Sequence, residues 1–149
     1  MRPLRHRLFA AAALAASVFT SSAVLADDQS LVTVVTSPDP QTQLMAMVLT
    51  MQAVRQGSTA QILLCGPGGD IALQSAPASA TAPQAPKDMS PQGLMKTIMG
   101  MAGTSVQVCA LYLPNKGVGA DALLAGVTVA APPAMAAELM KDDTRVLSF

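Results

Sequence analysis

The stretch "LVTVVTSPDPQTQLMAMVLTMQAVRQGSTAQILLCGPGGD", residues 31–70, changes its hydrophobic period and then changes it back. "LVTVVT" is a β-branched run suited to a strand buried on both faces. "SPDPQTQLMAMVLTMQAVRQG" moves to helical spacing, with Asp39 placed to cap, Pro40 at the first helical position and Gly57 placed to end the helix. "AQILLCGPGGD" is strand again, running into a glycine-rich turn. A helix between two strands implies a βαβ crossover, and hence parallel strands in one sheet.

The alternation continues downstream. "LQSAPASATAPQAPKDMS" is rich in Ala, Pro and Ser and predicts a long loop or flexible flap over residues 74–90. Ser90 and Pro91 restart helix in "SPQGLMKTIMGMAG", closed by Gly103. "TSVQVC" is a third strand, in which Val106 and Val108 alternate with Ser105 and Gln107. A short helical turn follows Cys109 and ends at the glycines of "NKGVG". A turn through "ADALLAG", a strand "VTVAA", a helix "PPAMAAELMKD" and a terminal strand "TRVLSF" complete the chain. The prediction is an α/β fold: a three-layer α/β/α domain with a mostly parallel sheet of about five strands.

The N-terminus reads as a targeting segment. Arg2, Arg5 and Arg7 form a basic region, an alanine-rich apolar stretch follows, and "VLA" precedes a cut after Ala26. Thr20, Ser21 and Ser22 interrupt the apolar run, leaving it short of the ~20 residues a spanning helix needs. The expectation is a signal peptide over residues 1–26, export to the periplasm, and one domain over residues 27–149. Removing 26 of 149 residues leaves 123, enough for a real core. Three of nine basic residues leave with the signal, so six face nine acidic ones and the net charge is −3. Without a Lys/Arg cluster there is no footprint for nucleic acid or for anionic membrane.

The composition also narrows the chemistry. His6 is the one histidine and lies in the signal, which excludes serine–histidine hydrolysis, imidazole base catalysis and histidine metal sites from the mature chain. Only Tyr112 and Phe149 remain as aromatics, too few for a stacking platform. Intrinsic reactivity rests with Cys65 and Cys109. Each ends a strand, and chemistry in such folds gathers at the carboxyl ends of strands, so both thiols belong to one edge.

For Cys109 three roles stay open: nucleophile, half of a disulfide, or a small apolar plug. A helix starting at Ala110 would set the thiol near an N-terminus, and Lys116 would add positive potential. If the two cysteine strands flank the first strand, their ends lie ~9–10 Å apart, too far for a bridge that wants Cα atoms within ~7 Å. Adjacent strands permit one. "CGPGGD" lacks the spacing and lysine of a P-loop and reads as a tight turn, with Asp70 available to orient a ligand. Met95 and Met99, and Met45, Met47 and Met51, raise soft-metal binding, but methionine at helical spacing fits core packing. From Leu44 to Val54 the first helix is apolar on nearly every face and needs covering on two sides; another subunit is the expected second cover, unless alanine and methionine overstate the apolar face.

Taken in order, "LVTVVTS", the apolar helix ending in "QG", "AQILLCGPGGDIAL", the helix before "GTSVQVCALYLPNKGVGADALLAGVTV", and the closing helix with "RVLSF" carry a resemblance. The chain resembles the DsrE/DsrF-like (YchN-like) family of small sulfur-relay proteins over nearly all of residues 27–149. That resemblance implies a parallel-sheet α/β fold assembling as trimers, hexamers or related rings. It also implies that a cysteine at the position of Cys109 carries sulfane sulfur as a persulfide. In that role a Cys109 thiolate attacks the terminal sulfur of a donor and offers it to an acceptor thiolate, with no cofactor. Export and the length of the Ala/Pro-rich stretch depart from the family, and the resemblance assigns no role to Cys65.

The leading expectation is an exported, homo-oligomeric sulfurtransferase-type carrier. Its partners are sulfur-donor and sulfur-acceptor proteins or small polysulfides. Cys109 is the catalytic residue, with Cys65, Lys116 and Asp70 supporting it. The alternative is a non-catalytic binding or assembly module with structural cysteines, which a Cys65–Cys109 bridge would favour.

Overall fold

The β-branched run forms β1 (Ser30–Val35), the first strand in the computed structural model, which describes residues 29–149. The predicted signal over residues 1–26 lies outside the described residues. Helix α1 (Pro40–Arg55) starts as its sequence dictates, because Asp39 Oδ1 accepts from the Thr42 amide at 2.8 Å. That bond holds the Asp39 carboxyl below its ordinary pKa. Gly57, at φ +99°, turns the chain into β2 (Thr59–Leu64).

Helix α2 (Ala78–Thr81) and helix α3 (Pro91–Met99) precede β3 (Thr104–Cys109). Ser90 Oγ caps α3 by accepting from the Gly93 amide at 3.1 Å. The helix stops at Gly100 rather than Gly103, where its last turn tightens as the Met101 amide donates to the Ile98 carbonyl, and Thr104 Oγ1 donates to the carbonyls of Ile98 and Met101, each at 2.8 Å. Then come α4 (Tyr112–Lys116), β4 (Val127–Ala130), α5 (Pro132–Leu139) and β5 (Thr144–Ser148).

The five strands lie in the order β4-β3-β2-β1-β5 and every pairing is parallel. Steps from β1 to β4 move one way across the sheet, and the last crossover returns to the far edge. Right-handed connections therefore put α1 and α3 on one face and α5 on the other. On the first face Val35, Ile62, Leu64, Val106 and Val108 pack with Met47, Met51, Met95 and Ile98. On the second, Val32, Leu63 and Ala130 pack with Met135 of α5. The layers are unequal. Beyond the reach of α5, the second face bears Gln61, Gln107 and Thr128, joined side chain to side chain.

Two expectations change here. The Ala/Pro-rich stretch over residues 74–90 is not a bare loop: it contains α2, buries Ala80, and pairs Gln84 with Met89. Alanine lets this segment sit close, and its residues Pro86 and Met89 face Leu44, Met45 and Val48 of α1 across a cleft. The chain itself thus supplies part of the second cover predicted to come from another subunit. Met45 and Leu49 remain 50% and 41% exposed. The methionines at helical spacing are mostly core, since Met47, Met51 and Met95 are buried in the first cluster.

Candidate functional site at the carboxyl edge of the sheet

Outgoing connections leave β3 toward one face of the sheet and β4 toward the other. A crevice opens where neighbouring strands part in this way. Here it is a cavity of about 750 Å³ over the ends of β2, β3 and β4. Leu63, Ala130 and α5 residues Pro132, Met135, Ala136 and Leu139 make its apolar wall. All four residues singled out in the sequence, Cys65, Asp70, Cys109 and Lys116, line it.

Cys65 and Cys109 are brought together by the strand order. β2 and β3 are neighbours, and their register runs up to Leu64 opposite Val108, so the next pair is the two cysteines. Both side chains fall on the α5 face. Their Cα atoms are 5.0 Å apart and the sulfurs form a disulfide, within the usual range for such bridges. The arrangement with β1 between the cysteine strands, which would have kept the thiols apart, does not occur. The bridge is half-buried in the cavity wall.

The short helical turn expected after Cys109 is α4, and it begins at Tyr112 rather than at Ala110. Pro114 explains the delay. It has no amide hydrogen and is tolerated in a first turn, which a start at Tyr112 provides; a start at Ala110 would bury it deeper. Leu111 takes the cap position, so Cys109 lies two residues before it and not at the helix N-terminus that a start at Ala110 would have given.

The turn after Cys65 is a 3₁₀ segment, Gly66–Ala72, as the tight-turn reading requires. Its two central glycines are there for space. A Cβ on Gly68 would run into the Val35 carbonyl, and one on Gly69 into the Tyr112 ring. Buried Gln92 of α3 ties the end of this turn down, donating to the carbonyls of Ile71 and Leu73 at 2.9 and 2.8 Å. Asp70 is thereby held opposite α4. Its Oδ1 accepts from Tyr112 Oη and from Lys116 Nζ, each at 2.7 Å.

This triad alters two assignments. Lys116 does not stand as an unpaired positive charge beside the thiols, because its ammonium is matched by Asp70. Asp70 orients Tyr112 and Lys116. Tyr112 was missed from sequence, although it is one of only two aromatics in the predicted mature chain. Its hydroxyl is held above its ordinary pKa, first by burial and then by donating to the Asp70 carboxylate. Among the described residues no group of three or more His, Cys, Asp or Glu side chains is arranged to hold a metal ion.

Fold and site together define a parallel α/β protein with a cysteine pair in the wall of a switch-point cavity. No family model and no curated protein matches the sequence. Solved structures match its fold. A protein of unknown function, MTH1491 from Methanobacterium thermoautotrophicum, superposes with a TM-score of 0.60 at 13% identity, over 82% of this chain and 100% of that one. The ychN protein from E. coli superposes with a TM-score of 0.59 at 18% identity, over 81% of this chain and 99% of that one. The chain has the DsrE/YchN-like α/β fold.

Proposed function

We propose that this protein is an exported, homo-oligomeric sulfane-sulfur carrier in which Cys109, when reduced, accepts sulfur as a persulfide. The observation that carries the reading is the position of Cys109 and Cys65 in the wall of the large cavity at the carboxyl edge of the sheet. A structural cysteine pair gains nothing from facing an open cavity, whereas a thiolate that exchanges sulfur with a donor needs access. In the loading step Cys109 Sγ attacks the outer sulfur of a donor persulfide or polysulfide. A new S–S bond forms on Cys109, and the donor leaves as a thiolate or shortened polysulfide. Because the bridged pair carries no thiolate, reduction must precede loading.

Intact-mass measurement of the reduced protein after exposure to polysulfide tests this. Wild type should take up sulfur through Cys109, seen as added sulfur or as its reaction products, and Cys109→Ser should not. Uptake that persists in the mutant, or that is absent wherever Cys109 is present, would sink the reading. Light scattering after size exclusion tests the assembly separately, with a trimer or hexamer expected and a clean monomer counting against it.

The second reading is a binding or assembly module in which Cys65 and Cys109 are structural. The bridge between them favours it. It predicts that the disulfide resists a dithiol reductant in the folded protein, as structural bridges do.

A further inference from the structure

A carrier that only stores and hands on sulfur has no use for a second thiol as the cross-strand neighbour of the first. In this chain the second thiol is there. Cys65 follows the last paired residue of β2, Cys109 is its cross-strand neighbour on the same face, and the Cα separation of 5.0 Å lets the sulfurs meet with no strand movement.

We infer that Cys65 is a resolving thiol that discharges the Cys109 persulfide as hydrogen sulfide. The inference rests on the carrier reading above and extends it from sulfur transfer to sulfur reduction. In the discharge step the Cys65 thiolate attacks Cys109 Sγ, the inner sulfur of the persulfide. The bond between Cys109 Sγ and the terminal sulfur breaks, the Cys65–Cys109 bond forms, and the terminal sulfur leaves as HS⁻ with its proton. Two electrons pass from the cysteine pair to the sulfane sulfur. The charge balances, with one thiolate consumed and one hydrosulfide released.

Attack on the inner sulfur, rather than the outer one, follows from reach. The bridged pair is the product of that step, and a Cα separation of 5.0 Å between register neighbours lets Cys65 Sγ reach Cys109 Sγ with the strands as they stand. The terminal sulfur extends one bond further, and Cys109 borders the cavity into which it would project. To reset, the bridge needs a dithiol co-reactant, either a small dithiol or a protein with a paired-cysteine site. It attacks one bridge sulfur, releases both thiols and is itself oxidised to a disulfide. The bridge is only partly buried and borders the open cavity, which leaves it accessible to such an attack. Each cycle thus reduces one sulfane sulfur to sulfide at the expense of one dithiol. Transfer to an acceptor thiol competes with discharge whenever the acceptor arrives first.

The experiment uses the full chain, reduced and freed of reductant without oxygen, then mixed with polysulfide. Released sulfide in excess of a protein-free control, free thiols and intact mass are followed together in wild type, Cys65→Ser and Cys109→Ser. Wild type should release sulfide in proportion to the thiols it loses and end as the bridged form without added sulfur. Cys65→Ser should retain added sulfur on Cys109 and release sulfide only when a dithiol is supplied. If wild type retains added sulfur to the same extent as Cys65→Ser, with no bridge formed, discharge is overturned while the carrier reading stands. If Cys65→Ser takes up no sulfur, the carrier reading itself falls. If Cys109→Ser holds the sulfur on Cys65 instead, the assignment of loading and resolving roles is wrong.

Discussion

Tyr112 donates a 2.7 Å hydrogen bond to Asp70 across 42 positions of sequence, fastening the short helix after Cys109 to the turn after Cys65. The two segments that carry the cysteines are thus clamped a second time, outside the sheet. Removing the hydroxyl in Tyr112→Phe leaves Asp70 with Lys116 as its partner. A hydrogen bond to a charged group contributes about 1.5–3 kcal/mol. Since Asp70 keeps one donor, a loss of about 1–2 kcal/mol is expected by urea denaturation at neutral pH. A change below experimental error would show that the clamp does not hold the site.

The same residue makes stability depend on alkaline pH. The folded state raises the Tyr112 pKa, so it holds its proton where the unfolded chain has released it. The contribution is fully present below the unfolded tyrosine value of about 10 and declines as pH rises above it. Denaturation midpoints of wild type should fall more steeply above that pH than those of Tyr112→Phe. Parallel profiles would contradict the assignment.

Gly69→Ala tests the close approach of the turn to Tyr112. The added methyl meets the aromatic ring, and overpacking of this kind costs about 1–3 kcal/mol. In combination with Tyr112→Leu, which vacates part of that space, the loss in the double variant should be smaller than the sum of the two single losses. Strict additivity would mean that the ring is not what Gly69 accommodates.

Reducing the bridge should weaken the fold without abolishing it. Cys65 and Cys109 are 44 residues apart, and closing a loop of that size stabilises by about 4 kcal/mol in the chain-entropy account. A fall in Tm of roughly 10–15 °C is expected with dithiol present. The core clusters remain intact, so calorimetry should still record a cooperative transition. Global unfolding at room temperature on reduction would exclude any cycle through the dithiol form.

The cavity makes its own prediction. Ala136 on α5 borders it and is exposed, so Ala136→Trp should narrow access to the cysteines at little cost to stability. Slower reduction of the disulfide by a bulky dithiol, with an unchanged Tm, is the expected result. An unchanged reduction rate would mean that the bridge is reached by another route.

Much of the fold was legible because the signals that set it are local. The βαβ pattern of residues 31–70 can be read from the cap at Asp39, the proline after it and the stop at Gly57, each acting within a few residues. The same holds for the cap at Ser90 and the strand ending at Cys109. The start of α4 at Tyr112 also has a local cue, since Pro114 lacks an amide hydrogen and is tolerated in a first turn. The packing of residues 78–89 against α1 was not legible, because alanine and proline specify little by themselves and take their places from the surfaces they meet.

The sequence by itself determined which residues end strands and turns, and therefore that both cysteines belong to the carboxyl edge of the sheet. Only the tertiary structure decided that β2 and β3 are neighbours, which separates two cysteines that cannot meet from two that are bonded. It alone paired Lys116 with Asp70 and brought Tyr112 to the same carboxylate. Strand order and side-chain partnership depend on contacts between residues more than forty positions apart. Local periodicity specifies the elements and is silent about which of them lie side by side.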